Sequence, residues 1–404
     1  WLDSNNYIQN YSSYDAILAV DAFTALQTDY FNAFDKLKEY YNSTKDWIFG
    51  YLTYDLKNDT EALTSNNDDG LEFPDLYFFQ PKKIFLIKGS TLETLYLNGV
   101  GDELEEDFKA ILNCKVEQHA SLLKENDNPI KIKLKIHQDE YFNKVTKVLS
   151  HIHRGDIYEA NFCQEFYAED TIIQPLETYT KLNAISKPPF ATFLKFDTNY
   201  LLSASPERYI KKTGNKVVSQ PIKGTAKRDP DHIMDSILKN DLISDEKERS
   251  ENIMIVDLVR NDLSQTAKKG SIKVEELCKI YSFDQVHQMV STVVSEVEDT
   301  TNPIDILKTT FPMGSMTGAP KISAMQIIEA LEETKRGLYS GSVGYISPKG
   351  DFDFNVVIRS ILYNENKKYV SYSVGGAITA KSEPLKEYEE CLVKAKAMRE
   401  VLEN

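Results

Sequence analysis

Residues 190–219 read FATFLKFDTNYLLSASPERYIKKTGNKVVS, and this stretch decides the fold class. Aromatic and β-branched residues are concentrated in four segments, which predict strands at 190–197, 200–204, 207–212 and 216–219. Only short turns separate these segments, so neighbouring strands should pair antiparallel. The stretch is therefore typical of an antiparallel sheet and not of a parallel βαβ fold.

Helices and further strands follow without regular βαβ spacing. Helical spacing runs from Gln138 to Arg154, and two more helices are predicted at 229–240 and about 245–263. Strands and helices alternate to the C-terminus, roughly at 285–296, 320–335, 341–347, 354–363, 369–374 and 384–402. This mixture predicts the α+β class.

The first third of the chain carries its own strand signals. Trp47–Tyr54 is aromatic and β-branched and predicts a buried strand, and residues 76–98 supply two more short strands. A polar segment around Glu117–Asn128 follows. We therefore expect an N-terminal subdomain at 1–130, part of the same sheet assembly, and a larger region at 131–404.

Composition excludes several classes of protein. The 404 residues are 41% hydrophobic, which is typical of a globular chain, and the formal net charge of −15 argues against nucleic acid as the main partner. No apolar run reaches transmembrane length, so no membrane is expected. The cysteines are far apart and form no CxxC pair: Cys114, Cys163, Cys278 and Cys391. A cytoplasmic protein without zinc or disulfides is expected.

The last predicted helix places three charged side chains together. At 100° per residue, Glu387, Glu390 and Lys394 lie within about 60° of one another. A solvated acidic face with an i,i+4 ion pair explains this pattern. That is the ordinary interpretation of the helix pattern, and a functional site is the alternative that the pattern leaves open.

Glu251 is the most unusual carboxylate in the sequence. It begins a helix that is apolar almost all round, and it falls on the arc of Met254, Ile255 and Leu258. A buried carboxylate needs a cation or hydrogen bonds, or it becomes protonated. A salt bridge satisfies that need, and so does a hard cation such as Mg²⁺ held by one or two carboxylates and a substrate anion.

Two glycine-containing segments are further candidates. Gly314–Lys321 is a glycine-rich turn that leads into a helix, whose free N–H groups favour an anion, although many such turns only cap helices. Pro221-Ile-Lys-Gly-Thr225 places Lys223 between a strand and a turn, where a surface lysine is the ordinary interpretation.

Taken in order, these segments resemble the chorismate-utilising enzymes, which include anthranilate, aminodeoxychorismate, isochorismate and salicylate synthases. The resemblance covers about 155–396 and extends weakly to Gly50–Tyr54. The matching stretches are Gly155–Tyr158, Ser205–Arg208, Pro221–Thr225, Ile255–Leu263, Val290–Thr292, Phe311–Lys321, Arg336-Gly337, Ile358-Arg359, Gly375-Gly376 and Glu387–Lys394.

The resemblance implies a fold and a set of ligands. The implied fold has two large, orthogonally packed antiparallel sheets with helices outside, similar to anthranilate synthase component I, and 131–404 becomes the chorismate-binding catalytic region. Glu251, Glu390 and Glu387 match the residues that hold Mg²⁺. The matched substrate-binding residues are Arg359, Tyr339, Gly375, Gly376, Ala377, Lys394, Thr225 and Ser315. An Arg fork is well suited to a carboxylate of the substrate.

Two residues match catalytic positions of the family. Glu207 matches the general acid that protonates the departing C4 hydroxyl, which requires a raised pKa. Lys223 matches the lysine of aminodeoxychorismate synthases, where anthranilate and isochorismate synthases usually have Ala. The resemblance implies that its amine adds at C2 and that ammonia then adds at C4. Because only a neutral amine attacks, the pKa of Lys223 is expected to fall.

The chain departs from the family pattern at three positions. Glu159 stands where isochorismate-type members use a water-activating Lys and related synthases have Gln, which argues against water as the nucleophile. Gln288 stands where many relatives have a His tied to pyruvate elimination. Ala377 replaces a frequent Gly, with little effect expected because only its N–H is needed.

The resemblance therefore favours component I of aminodeoxychorismate synthase, which converts chorismate and ammonia to 4-amino-4-deoxychorismate. Its expected partners are a separate glutamine amidotransferase subunit that supplies ammonia and a downstream lyase. Anthranilate synthase component I is the alternative enzyme, and a non-catalytic chorismate or tryptophan sensor is the alternative from another class. Trp1-Leu-Asp-Ser4 only faintly resembles the Leu-Leu-Glu-Ser motif of tryptophan-inhibited members, so control by tryptophan is not expected.

Overall fold

The computed structural model describes residues 1–7, 10–114 and 130–403. Within these ranges the chain forms nineteen strands: β1 Leu2–Asp3, β2 Ala16–Thr28, β3 Ile48–Leu52, β4 Leu76–Lys88, β5 Thr91–Tyr96, β6 Lys133–Leu134, β7 Glu159–Ala168, β8 Phe190–Phe196, β9 Asn199–Ser205, β10 Arg208–Thr213, β11 Lys216–Gln220, β12 Ile222–Lys227, β13 Lys273–Ser282, β14 Val286–Glu296, β15 Gly318–Ala319, β16 Ser342–Ile346, β17 Phe352–Val356, β18 Ser360–Asn364 and β19 Tyr369–Thr379.

The same ranges contain ten α-helices and three short 3-10 helices. The α-helices are α1 Ala33–Thr44, α2 Lys57–Thr60, α3 Leu104–Asn113, α4 Gln138–Arg154, α5 Pro175–Ser186, α6 His232–Ser244, α7 Glu246–Ser264, α8 Pro303–Thr310, α9 Lys321–Leu331 and α10 Pro384–Glu403. The 3-10 helices are Tyr54–Leu56, Asn98–Glu103 and Gly314–Met316. In the described part of the chain, no helix is long and apolar enough to cross a membrane.

The strands form two antiparallel series joined by the β2–β4 pair. The first series runs β4, β3, β16, β17, β10, β11 and β14, and β14 also pairs with β12 and β13. The second runs β2, β1, β8, β9, β18, β19 and β7. The predicted α+β class with antiparallel strands is therefore confirmed, and hydrogen bonds connect all these strands into one network.

Two hydrophobic cores hold the strands and helices together. The first contains Tyr51, Val293 and Phe354 from the first series, Leu201 and Leu362 from the second, and apolar residues of α1, α7 and α8. In the second core, helices α4, α5, α9 and α10 cover the other face of the second series. Helices α7 and α10 are therefore anchored in different cores.

Several boundaries differ from the sequence prediction. Residues 354–363 were expected to form one strand, but β17 and β18 are separate because Arg359 has φ 52°, which breaks an extended chain. Strand β7, which pairs with β19 over ten residues, was not predicted. The polar segment around Glu117–Asn128 lies outside the described residues, and the boundary near 130 stays a prediction.

Phe354 provides a test of the first core. Its side chain is fully buried, with ring centroids 6.2 Å from Phe78 and 5.9 Å from Phe352. We expect Phe354→Ala to lower the free energy of unfolding by about 3–5 kcal/mol, because it removes apolar contacts and leaves a cavity. Phe23, which is 61% exposed, is the matched control. Phe23→Ala should change the free energy by less than about 0.5 kcal/mol, and equal effects in urea unfolding would contradict the assignment.

Candidate active site

Two acidic side chains on different helices face one another across a lysine. Glu251 in α7 and Glu387 in α10 are both buried. The Nζ atom of Lys247, one turn before Glu251, lies 3.8 Å from Glu251 Oε1 and 3.5 Å from Glu387 Oε1. Sequence reasoning missed Lys247, although its i,i+4 spacing to Glu251 was a signal. The helix packing thus brings together two of the three predicted metal ligands.

The third predicted ligand, Glu390, lies beside them and is paired with Lys394. The Lys394 Nζ lies 2.6 Å from Glu390 Oε1 and donates a hydrogen bond to the Gly375 carbonyl oxygen at 2.8 Å. Burial alone would raise the pKa of Glu390, but Lys394 holds that pKa below its usual range. Glu387 and Glu390 both lie close to Gly376: a β-carbon there would lie 3.3 Å from Glu387 Oε2 and 3.8 Å from Glu390 Oε1.

Glu251 is a buried carboxylate with few hydrogen-bond partners. Its Oε1 atom is buried and has no hydrogen bond within the described residues. Burial raises the pKa of Glu251 to about 7, against the opposing effects of Lys223 and Lys247. Such a group is stabilised by a cation.

The donor set around Glu251 fits a hard cation. Glu251, Glu387 and Glu390 offer carboxylate oxygens, and these are the ligands that Mg²⁺ prefers. Among the described residues, however, no three acidic, His or Cys side chains are already gathered closely enough to hold an ion. The ammonium groups of Lys247 and Lys394 stand among the three carboxylates.

Lys223 lies in β12 at an irregular point of the sheet. The register with β14 shifts between Ile222 and Thr225, and Gly224 has φ 90°, so the bulge turns Lys223 away from regular alternation. Burial would lower the pKa of Lys223, but the carboxylates of Glu159, Glu251, Glu207 and Glu390 together raise it. The prediction of a lowered pKa is therefore wrong for this structure, because sequence patterns did not reveal how many carboxylates face this amine.

Glu207 has the environment of a general acid. It lies between β9 and β10, is buried, and receives a hydrogen bond from the Ser315 side chain. Burial raises the pKa of Glu207 to about 7, while Ser315 and Lys223 act in the opposite direction. Glu207 and Ser315 also line a cavity of about 20 Å³, which has room for about one water molecule.

Arg359 presents an unpaired guanidinium. Its left-handed backbone lies at the junction of β17 and β18, where it turns the chain between the two series. Within the described residues its side chain has no hydrogen bond or ion pair, and burial lowers its pKa against the effects of Tyr339 and Glu390. The Tyr339 hydroxyl donates to Cys163 Sγ at 3.5 Å. A half-buried guanidinium without a partner is well suited to bind a carboxylate.

Residues 375–377 lie in extended conformation within β19. They pair with β7 along one edge, while β18 pairs with β19 only as far as Ser371. The other edge is therefore open, and the Gly375 carbonyl on that edge accepts the bond from Lys394. Backbone groups of successive residues point to opposite edges, so Ala377 shares the open edge and Gly376 faces β7.

The remaining predicted residues lie around this centre. Thr225 is exposed, pairs in register with Gln288, and makes no side-chain hydrogen bond with the described part of the chain. Gln288 and Glu159 are buried, and each has one side-chain oxygen without a partner in the described residues. Burial raises the pKa of Glu159, which Lys223 opposes. Glu159 thus lies next to Lys223 inside the site, whereas Thr225 lies at the exposed edge of the site.

The combination of groups can bind and convert a small polyanion. Basic side chains, namely Lys223, Lys247, Arg359 and Lys394, alternate with the carboxylates. One acid with a pKa of about 7 and one amine lie close enough to influence each other's ionisation. This arrangement suits the protonation of a leaving group together with attack by nitrogen.

Comparison with known proteins identifies the family of the chain. The family model of the chorismate binding enzymes matches residues 3–400. The chain is 33% identical over 368 residues to anthranilate synthase component 1 of Aquifex aeolicus, covering 88% of this chain and 74% of that one. It is 32% identical over 367 residues to aminodeoxychorismate synthase component 1 of Bacillus subtilis strain 168, covering 88% and 76%.

A solved structure has the same fold. The crystal structure of anthranilate synthase component I from Streptococcus pneumoniae superposes with a TM-score of 0.81 at 24% identity, covering 97% of this chain and 94% of that one. The family model spans the residues that form the site, from Glu159 to Lys394. The chain therefore belongs to the chorismate-binding enzyme family.

Proposed function

We propose that the chain is component I of an aminodeoxychorismate synthase, which converts chorismate and ammonia to 4-amino-4-deoxychorismate. The observation that carries the proposal is the position of Lys223 beside Glu207, since each affects the ionisation of the other. Relatives of similar identity are named anthranilate synthase and aminodeoxychorismate synthase, so the names alone do not choose between the products.

Binding of chorismate would use the two halves of the site. Arg359 and Tyr339, with the open backbone edge at Gly375 and Ala377, would hold the enolpyruvyl carboxylate. Glu251, Glu387 and Glu390 would hold Mg²⁺ next to the ring carboxylate. When bound, this ion would anchor that carboxylate and withdraw charge from the ring. Lys394 would lie between the two halves.

The proposed reaction uses two displacements. The neutral amine of Lys223 forms a bond to C2 as the C4–O bond breaks, and Glu207 gives its proton to the departing hydroxyl, which leaves as water. Ammonia then forms a bond to C4 as the bond between C2 and the Lys223 nitrogen breaks. The ammonia nitrogen gives up a proton and the Lys223 amine is restored, so nitrogen ends para to the ring carboxylate.

Lys223 must lose a proton before it attacks, because the surrounding carboxylates raise its pKa. Glu159 has the largest effect of these four carboxylates and has an unpartnered, buried oxygen. We propose that Glu159 takes this proton. In this role Glu159 deprotonates an amine and not a water molecule, as expected when the amine is the nucleophile.

Ammonia would come from a separate subunit. The Bacillus subtilis relative is named component 1, which implies a second component for that protein. We propose a glutamine amidotransferase subunit as the ammonia source and a lyase as the enzyme that releases p-aminobenzoate from the product. The isolated chain should then use ammonium and should not use glutamine.

A product assay tests the proposal directly. Purified chain incubated with chorismate, Mg²⁺ and ammonium should form 4-amino-4-deoxychorismate, and addition of the lyase should yield p-aminobenzoate, identified by chromatography and mass. Reactions without ammonium or without lyase are the controls. Anthranilate as the main product without lyase would refute the proposal and establish the alternative enzyme.

Replacement of Lys223 tests the covalent step. Lys223→Ala should lower 4-amino-4-deoxychorismate formation by at least about a hundredfold, because the group that reacts at C2 is gone. Ammonia then has access to C2, and a 2-amino product is expected. Lys227→Ala is the matched control, since Lys227 is an exposed lysine of the same strand.

Intact-protein mass gives a second measurement of the same step. With ammonia withheld, the wild-type chain should gain the mass of chorismate less one water, and the Lys223→Ala variant should not. If the Lys223→Ala variant keeps a near-normal rate and still places nitrogen at C4, Lys223 has only an electrostatic role. The main argument for an aminodeoxychorismate synthase would then be lost.

The pH dependence tests Glu207. A general acid acts while protonated, and the pKa of Glu207 is raised to about 7, so the rate on the alkaline side of the pH profile should fall as the pH rises through about that value. Rates should be compared at a constant concentration of unprotonated ammonia. Glu207→Gln should lose about 10²- to 10⁴-fold in rate and also lose the alkaline decline. If the residual activity of Glu207→Gln still falls at alkaline pH as the wild-type activity does, the fall must be caused by a group other than Glu207.

A further inference from the structure

Lys247 is a half-buried cation that has no role in the proposed reaction. It lies in the first turn of α7, and its side chain is 35% exposed. Within the described residues, its Nζ atom has no hydrogen bond or ion pair with the predicted substrate-binding residues. Its partners are instead Glu251 and Glu387, one on each of the two helices that meet at the site.

Lys247 is the cation in contact with both carboxylates, and Lys223 acts on the ionisation of Glu251 as well. Within the described residues, Lys247 is the one basic side chain within 4.0 Å of either carboxylate, whereas Glu390 has Lys394. Two carboxylates that face each other in a partly buried space repel, and the repulsion is stronger there than in water. An ammonium between them compensates this charge and allows α7 and α10 to stay in contact.

The distances show a loose contact. At 3.8 and 3.5 Å the Nζ atom is beyond the usual length of a charge-assisted hydrogen bond. Glu251 Oε1 correspondingly has no hydrogen bond within the described residues. A lysine ammonium on a flexible four-carbon stem can leave such a position without breaking a specific bond.

We propose that Lys247 is a tethered cation that lies between Glu251 and Glu387 in the metal-free protein and is displaced when Mg²⁺ binds there. The inference rests on the Mg²⁺ site of the proposed function, and it adds that the ion must compete with a group of the protein. Lys247 thus keeps the facing carboxylates in place before the metal arrives and weakens the affinity for the metal.

Calorimetric titration with Mg²⁺ tests this competition. We expect Lys247→Met to bind Mg²⁺ more tightly than wild type, within the 5- to 150-fold range typical of coupled binding, because no internal cation must be displaced. The titration is done at about pH 8.5, where carboxylates with ordinary or moderately raised pKa values are ionised. Arg260→Met is the matched control, since it removes one positive charge from the same helix at an exposed pair with Asp257.

The outcomes separate the two proposals. Tighter Mg²⁺ binding by Lys247→Met, with Arg260→Met like wild type, supports the competition. Equal or weaker binding by Lys247→Met overturns it and leaves the metal site of the proposed function intact. Absence of Mg²⁺ binding in wild type and both variants overturns the metal site and the competition together.

The wild-type protein gives a second measurement that does not depend on a variant folding. Displacement by the metal should make the Lys247 amine more accessible to an amine-reactive reagent. We therefore expect its labelling rate, followed by peptide mass spectrometry, to rise several-fold when Mg²⁺ is added, while the rate at exposed Lys227 stays constant. An unchanged rate at Lys247 under saturating Mg²⁺ overturns the proposal.

Discussion

Charge compensation in a partly buried space is the constraint on which the site depends. Glu159, Glu207, Glu251 and Glu390 all act on the single amine of Lys223, and their combined charge exceeds the effect of burial on its pKa. Burial alone would neutralise these acids, since a carboxylate out of water is costly without a cation. The arrangement remains ionic because acids and amines alternate through it. Removal of one charge therefore changes the ionisation of several others, and the effects of single replacements should not be additive.

The fold supplies this alternation from elements that are far apart in the sequence. Helix α7 is fixed by the first core and α10 by the second, so the contact between Glu251 and Glu387 is determined by how the two strand series pack. Strand β19 contributes its open edge because β18 ends early beside it. Arg359 itself has a left-handed backbone conformation, and it lies where the chain passes from one strand series to the other. Backbone strain at such a position is sustained by the surrounding structure and is common at functional sites.

Local patterns predicted the elements but not the charges around them. Helix α7 was expected at about 245–263 and spans Glu246–Ser264, because its apolar period and its flanking residues are local properties. The break at Arg359 and the extended form of Gly375–Ala377 were not predictable, since tertiary pairing decides both. The sequence indicated Glu207 and Lys223 only through their resemblance to a family. The number of carboxylates facing Lys223, and hence the direction of its pKa, required the assembled structure.

Chemistry within one fold can differ through very few side chains, and this site illustrates where such differences arise. A fold shared with anthranilate synthase component I does not by itself assign a product. In the proposed reaction, the groups that would bind the dicarboxylate ring and protonate its leaving group would serve a nitrogen or an oxygen nucleophile equally. The choice of nucleophile must therefore depend on the groups that control which nucleophile near C2 of the substrate is in its neutral, reactive form. In the proposed reaction those groups would be Lys223 and Glu159, whose buried Oε2 atom has no hydrogen bond within the described residues, and a carboxylate beside an amine favours proton transfer between them over activation of water.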